Sequence, residues 1–260
     1  MIEGAFFSQL AKAKRRLLRL HFDARHGHIG GDLSCIDALM VLHHCVIGQN
    51  DRFILSKGHS AGALYVTLWS LGRLNEETLA GFCRDGSALG GHPSAGCAPG
   101  ILFSTGSLGH GPSLACGLAL AAKTRESGSR VWCLCSDGEW QEGSCWEALS
   151  FAVHHKLYNL TFLIDANGWQ GFGRTGEVAF STDDLEKRLR CFGAAVTTVD
   201  GHDPEAMFSA LSHQEESPQV LLLHTLKGKG LHFQDTLESH YLPLSEEDYT
   251  RALARQERRF

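Results

Sequence analysis

A carboxylate at Asp137 and a side-chain amide at Asn167 each close a short apolar run, and each is followed by a glycine, in the strings Ser136-Asp137-Gly138 and Asp165-Ala166-Asn167-Gly168. Asp, Asn and Gly tolerate the conformations of tight turns, so the strings taken singly fit two turns with no chemistry. Their spacing adds a second reading. Thirty residues is about one β-α-β crossover, and the right-handed crossover rule brings both positions to the same edge of a parallel sheet. Ligands of open α/β sheets bind beyond the carboxyl ends of the strands. A carboxylate, an amide oxygen and a backbone carbonyl from the turn after Asn167 make a partial shell of hard oxygens, of the kind that holds Mg²⁺ when phosphate oxygens complete the octahedron.

Histidine is the second reactive group. Several of the fifteen sit beside glycine, as Gly27-His28, Gly58-His59, Gly91-His92 and Gly109-His110, which suggests loops that approach a ligand closely. Others, His26, His43, His44 and His202 among them, read as surface or packing residues. The nine cysteines are scattered and odd in number, which argues for free thiols. Cys133 and Cys135 alternate in a strand-like run and face the same way, so buried packing is expected of them and not zinc binding.

The elements that must position these groups follow from hydrophobic periodicity. Helical spacing recurs in Phe6–Phe22, Ile36–Ile47 and His59–Leu71, and Gly111-Pro112 opens a further helix over Ser113–Thr124. Short unbroken apolar runs at Val131–Cys135, Leu160–Ile164, Ala194–Val199 and Val220–Thr225 then alternate with helical segments at about Glu142–His155, at Thr182–Cys191 and at Pro204–His213. Strands of this kind argue for a doubly wound α/β fold, with a mostly parallel sheet, helices on both faces and a helical N-terminal part. No internal repeat or linker interrupts the pattern, so residues 1–260 are expected to form a single domain.

Composition narrows the partners. With 260 residues, 43% hydrophobic and 20% charged, and a formal net charge of −5, the chain carries no field to attract nucleic acid. The small, apolar run Leu114–Ala122 is far below the roughly 20 residues that span a bilayer, so no membrane association is expected. The opening, Met1–Leu20, sets Lys12, Lys14, Arg15 and Arg16 among leucines at helical spacing and shows no secretory pattern, which points to a helix and a cytoplasmic location.

The string Cys135-Ser136-Asp137-Gly138-Glu139-Trp140-Gln141-Glu142-Gly143, with Asn167 after the crossover, resembles the thiamine diphosphate fingerprint, Gly-Asp-Gly followed by Asn. The blocks Arg25-His26-Gly27-His28-Ile29-Gly30-Gly31, Asp51-Arg52-Phe53-Ile54-Leu55-Ser56-Lys57-Gly58-His59, Gly91-His92-Pro93, Ser104-Thr105-Gly106-Ser107-Leu108-Gly109, Val199-Asp200-Gly201-His202-Asp203 and Lys227-Gly228-Lys229-Gly230 resemble, in order, the amino-terminal half of transketolases over nearly the whole chain.

That resemblance implies roles. Asp137 and Asn167, with the backbone carbonyl of Trp169, match the metal ligands. His59 and His240 match histidines that reach the cofactor diphosphate, which Gly138 lets the backbone approach and beside which Glu139 falls. Gly106 and Leu108 match the loop against the cofactor rings. His28 and His92, with His59 and His240, match the catalytic histidines that bind sugar hydroxyls and move protons, and Glu142 matches a dimer-interface glutamate. The activity implied is transfer of a two-carbon ketol unit from a ketose phosphate to an aldose phosphate, with thiamine diphosphate and Mg²⁺, in carbohydrate metabolism of the pentose phosphate kind. A complete transketolase adds a domain that binds the pyrimidine end and supplies an activating glutamate, and then a third domain. The resemblance therefore implies the amino-terminal subunit of a split enzyme, working with a separate carboxy-terminal subunit in a dimer of heterodimers. Glycolyl loading, a 1-deoxyxylulose-phosphate-synthase-like transfer and a non-catalytic scaffold remain alternatives. Three departures from the family pattern stand out: Ser136 for a glycine, which is tolerable if its φ is not positive, and His110 for a glutamine and Gly171-Phe172-Gly173 for Ile-Asp-Gly, which leave the metal ligands in place and bear on acceptor specificity.

Overall fold

The computed structural model describes residues 2–213 and 216–257; Met1 of the expected opening helix and Phe260 of the expected domain lie outside them. The leucine stripe Leu10, Leu17, Leu18 and Leu20 builds α1 (Gly4–Ala24), which ends where Arg25 turns left-handed. Next comes α2 (Ile29–Val41), extended by a π-helical turn over Leu42–Val46. Sequence periodicity starts this helix only at Ile36, because Gly30 and Gly31 blur the apolar stripe. Gly30 is needed for packing, since a Cβ there would collide with the Ser239 carbonyl oxygen.

The helical stretch Ile29–Val46 is long and apolar enough to cross a membrane, which Leu114–Ala122 is not, yet 83% of it is buried inside the protein. It is the core helix, and its Asp32 and Asp37 are paired with His21 and with Lys14.

Chain order continues with β1 (Arg52–Leu55), α3 (Ala61–Ser70), α4 (Glu76–Ala80), α5 (His110–Thr124), β2 (Val131–Ser136), α6 (Gly143–His154) and β3 (Leu160–Ala166). A two-residue hairpin, β4 (Trp169–Gln170) and β5 (Gly173–Arg174), leads to α7 (Thr175–Val178), α8 (Thr182–Cys191), β6 (Ala195–Asp200), α9 (Pro204–Leu211), β7 (Gln219–His224), α10 (Glu238–Tyr241) and α11 (Glu246–Glu257). Ser181 and Asp203 cap α8 and α9 by accepting backbone N–H bonds.

The main sheet runs β1-β2-β3-β7-β6, every pair parallel. Alternate side chains of its central strands enter two cores. Trp132, Leu134, Leu163 and Leu221 pack with α1, α2 and α3, whereas Cys133, Cys135, Phe162 and Leu222 pack with α5, α6 and α8. This is the doubly wound α/β architecture with helices on both faces. Cys133 and Cys135 share a face, their sulfurs 3.7 Å apart, in hydrogen-bond contact and not joined by a disulfide.

Beyond the carboxyl ends of β1, β2, β3 and β7 the chain turns at Ser56-Lys57, Asp137, Asn167 and Thr225. A fully buried ion pair, Lys57 with Asp165, lies directly beneath these turns. Asp165 also accepts from Ser34 Oγ at 2.5 Å, Asn167 Nδ2 at 3.0 Å and the Thr225 hydroxyl, and Lys57 Nζ donates to the Gly31 carbonyl at 3.1 Å. Burial is the largest single effect and opposes both charges, but the partner's charge and the surrounding charges and hydrogen bonds together outweigh it, so the Lys57 pKa is raised and the Asp165 pKa lowered. Removing one partner leaves a buried charge uncompensated. Lys57→Met is therefore expected to destabilise the fold by about 3–5 kcal/mol, read from the urea midpoint at constant m-value; a loss below about 1 kcal/mol would show that the pair is not structurally required.

Candidate active site

Four histidines from four separate segments meet at the carboxyl edge of the sheet. His28 is the residue before α2 and holds a left-handed backbone, φ 64°. That conformation costs a non-glycine residue about 1 kcal/mol or more, and it is held because His28 N–H donates to the His240 carbonyl at 3.0 Å. Gly27, just before it, has no room for a side chain, since a Cβ would lie 2.5 Å from the Tyr241 carbonyl oxygen. His59 sits in the 3-10 turn Gly58–Ser60. The His92 ring lies on the backbone of Gly106, where φ is 133° and a Cβ would come within 2.6 Å of the ring. His240 belongs to α10.

The ring centroids of His28 stand 5.8 Å from His59, 6.0 Å from His92 and 5.0 Å from His240, and those of His59 and His240 are 6.0 Å apart. Burial lowers the pKa of all four. His28 falls to about 4 and His240 to about 3, Lys227 adding to burial at both, and His59 lies well below the ordinary value. At neutral pH these rings are uncharged, so each can donate one hydrogen bond and accept another.

Sequence pattern does not single out Lys227, although it stands within the Lys227-Gly228-Lys229-Gly230 block. Its side chain is 1% exposed, and Nζ lies 2.8 Å from His240 Nδ1. Burial and the nearby Lys57 push its amine down to about 8. An anion at this spot would reverse that shift. Lys57 escapes sequence pattern in the same way; burial decides the role of both lysines, and the only signal in the sequence is the flanking glycine.

The oxygen donors lie alongside. Asp137 is 3% exposed; its Oδ1 accepts from Gly138 N–H at 2.8 Å and its Oδ2 from Gly168 N–H at 2.6 Å. Burial, with Asp165 nearby, pushes its carboxyl up to about 7. Asn167 donates its amide to Asp165, which turns its oxygen the other way, toward the Trp169 N–H at 3.0 Å. Among the described residues no group of three or more His, Cys, Asp or Glu side chains is placed to hold a metal ion, so a cage made by such side chains alone is not available. A divalent cation completed by ligand oxygens fits: it would relieve the buried carboxylate of Asp137, whose pKa is raised by burial and by the neighbouring Asp165.

The remaining expected residues divide. Glu139 is fully buried and its oxygens are taken by Ser56, Gly109 N–H at 2.9 Å and Ser136 N–H at 3.3 Å, so it braces the Gly106–Gly109 turn from beneath. Leu108 is half-buried in that turn, and Glu142 is exposed at the start of α6. Trp169 is held by Nε1–H to Asp235 at 2.7 Å and by the Arg174 guanidinium 4.4 Å over its ring. Ser136 replaces a glycine without strain because it ends β2 and has no positive φ. His110 begins α5 and is exposed. Phe172, at the tip of the β4–β5 hairpin, is 92% exposed, and Tyr241 Oη donates to the neighbouring Gly171 carbonyl at 2.7 Å.

Residues 22–257 match the family model for "Transketolase, thiamine diphosphate binding domain". The chain is 36% identical to one of the subunits of the apulose-4-phosphate transketolase of Phocaeicola vulgatus, over 92% of this chain and 89% of that one. It is also 36% identical to a 6-deoxy-6-sulfo-D-fructose transketolase subunit of a Clostridium species, over 89% of each. Among solved structures it is similar to the transketolase of Campylobacter jejuni, with a TM-score of 0.89 and 28% identity; 98% of this chain overlays on 43% of that one.

The depressed imidazoles give stability a pH dependence. Their folded pKa values lie below the unfolded value of about 6.5, so their contribution is full above that pH and is lost as pH falls toward 4. Asp137 has the opposite sign: its folded pKa is raised, so its contribution is lost as pH rises toward 7. The histidines outnumber it, and the thermal midpoint is expected to climb between pH 4 and 6.5, less steeply in His28→Gln. A midpoint flat across that window would show that the rings are not desolvated.

Proposed function

Because the chain belongs to the transketolase family, as its thiamine diphosphate binding domain, we propose that it is the amino-terminal subunit of a two-chain transketolase that moves a two-carbon ketol unit from a ketose phosphate to an aldose phosphate. The observation that carries this reading is the meeting of four uncharged imidazoles with Asp137, Asn167 and the buried Lys227 at one edge of the sheet.

When bound, thiamine diphosphate supplies the carbanion that cleaves the carbon–carbon bond beside a ketose carbonyl. The residues do the rest. Asp137, Asn167 and the Trp169 carbonyl would hold Mg²⁺, an ion that takes hard oxygen ligands. His59, His240 and Lys227 would bind the diphosphate, an anion that would favour the ammonium that burial disfavours. Gly138 would let backbone approach it, and Gly106 and Leu108 would lie against the cofactor rings. His28 and His92 bind the sugar hydroxyls and carbonyl, each neutral ring giving a proton from one nitrogen and accepting one at the other.

The pyrimidine end of the cofactor and its activating glutamate fall to a separate carboxy-terminal subunit, consistent with relatives of similar length that are named as subunits. Glu142, exposed beside the Gly109 turn, lies at the face where two such heterodimers associate. The substrates named for those relatives, apulose 4-phosphate and 6-deoxy-6-sulfo-D-fructose, favour a specialised sugar as substrate here as well; the aromatic Phe172 beside the site, in place of the family's aspartate, suits the same reading.

Calorimetric titration of thiamine diphosphate and Mg²⁺ into the chain, alone and mixed with the chain encoded beside it, tests the proposal. Binding is expected to need Mg²⁺, to tighten with the neighbour, and to weaken about a hundredfold or more in Asp137→Ala, since removing a residue that merely orients a metal ligand costs about 10–100-fold. No binding even in the mixture would discard the enzyme and leave the scaffold.

A further inference from the structure

The row of imidazoles does not stop at His28. His26, read from the sequence as a packing residue, has its ring 5.7 Å from that of His28 and 5.9 Å from that of His21. His21 is itself immobile: its Nε2 lies 2.6 Å from the buried Asp32 carboxylate, and its Nδ1 3.2 Å from the His26 carbonyl oxygen. The His26 ring is boxed in. Phe82 meets it edge-on at 5.4 Å, and a Cβ on Gly91 would lie 2.6 Å from Cε1 and 2.7 Å from Nε2. Gly91 is thus required by the ring that lies against it.

Two nitrogens in this box have no protein partner although both are buried: His26 Nε2 and His28 Nδ1. An unmet buried polar atom costs about 1–3 kcal/mol, and a water with two or more polar partners is its ordinary remedy. We propose that His26 is a positioning residue for His28: one water joins His26 Nε2 to His28 Nδ1, fixes the tautomer of His28, and so sets which nitrogen carries the proton offered to the sugar. The groups that face His28 are Asp32 on its own helix, His26, His59 and His92, and Lys227 and His240 from the far end of the chain. Their balance, with burial foremost, keeps the ring uncharged at neutral pH, so what remains to be set is which nitrogen holds the single proton. The consequence for turnover rests on the transketolase reading; the tautomer does not.

The test is nitrogen-15 NMR of histidine-labelled protein at pH 7.5, with the His28 signals assigned by their loss in His28→Gln. In the wild type, His28 is expected to show one dominant tautomer. In His26→Phe, and in His26→Ala if the larger ring disturbs folding, its two nitrogen shifts should move toward each other as both tautomers become populated. His26→Gln, which restores a polar group at similar reach, should return them. With the partner chain, His26→Phe should lower kcat about tenfold or more with KM within about twofold, because proton transfer by a positioned side chain is worth about 10²–10⁴-fold, and His26→Gln should recover most of it. His28 shifts unchanged in both the Phe and Ala variants, or a Gln variant no better than Ala, would overturn the proposal. Absence of turnover in the wild-type mixture would overturn the transketolase reading alone, since the NMR arm needs neither cofactor nor partner.

Discussion

A lysine and an aspartate with no access to water must find each other and every further hydrogen bond within the protein, and the candidate site is arranged around that requirement. Lys57 and Asp165 meet beneath the carboxyl edge of the sheet. The groups that satisfy them come from α2, from the exit of β7, and from Asn167. The pair therefore does more than join two strands. It sets where α2 begins relative to the sheet, and with it His28. By taking the Asn167 amide, it also settles which way the Asn167 oxygen points.

A second buried network extends the same logic to Lys227. Asp37 pairs with Lys14 at 2.6 Å and with His202 Nδ1 at 2.9 Å, while His202 Nε2 accepts the Leu226 N–H at 2.9 Å. Since Nε2 is the acceptor, Nδ1 carries the proton toward Asp37. An imidazole that sequence alone assigns to packing thereby anchors the residue before Lys227. The glycines complete the frame by close approach: Gly30 admits Ser239, Gly27 admits Tyr241, and Gly106 admits His92. α10 can then lie against the start of α2 and bring His240 to the other histidines.

The legible parts of this arrangement are those with a local signal. β2, β3 and β7 are short, mostly apolar runs bounded by turns, β6 is a β-branched one, and α5, α6, α8 and α9 carry helical periodicity or caps, so their order predicts a parallel sheet. β1 has four residues and α11 is dominated by charged side chains, and neither stands out by pattern. Asp137 and Asn167 are legible because strand ends and crossover length are sequence properties. Lys57, Lys227 and His26 are not, because burial defines them: a lysine in water and a lysine inside a protein are spelled alike. Glu139 shows the same limit from the other side. It is adjacent in sequence to the fingerprint, yet its carboxylate faces the interior and braces a turn.

The all-parallel sheet also has a consequence for how the molecule comes into being. Its strands cannot be joined by hairpins, and Lys57 and Asp165 are separated by 108 residues along the chain. Closing loops of that length precedes any reward from the contacts they bring together, so such pairings form slowly relative to helices. On the ribosome, Lys57 emerges long before its partner, and β3 long before the β7 strand that flanks it. The helical first third must wait with its reactive groups unassembled. The site is thus among the last features to be completed, and a truncated nascent chain can hold most of its helices without holding the cluster that gives them a purpose.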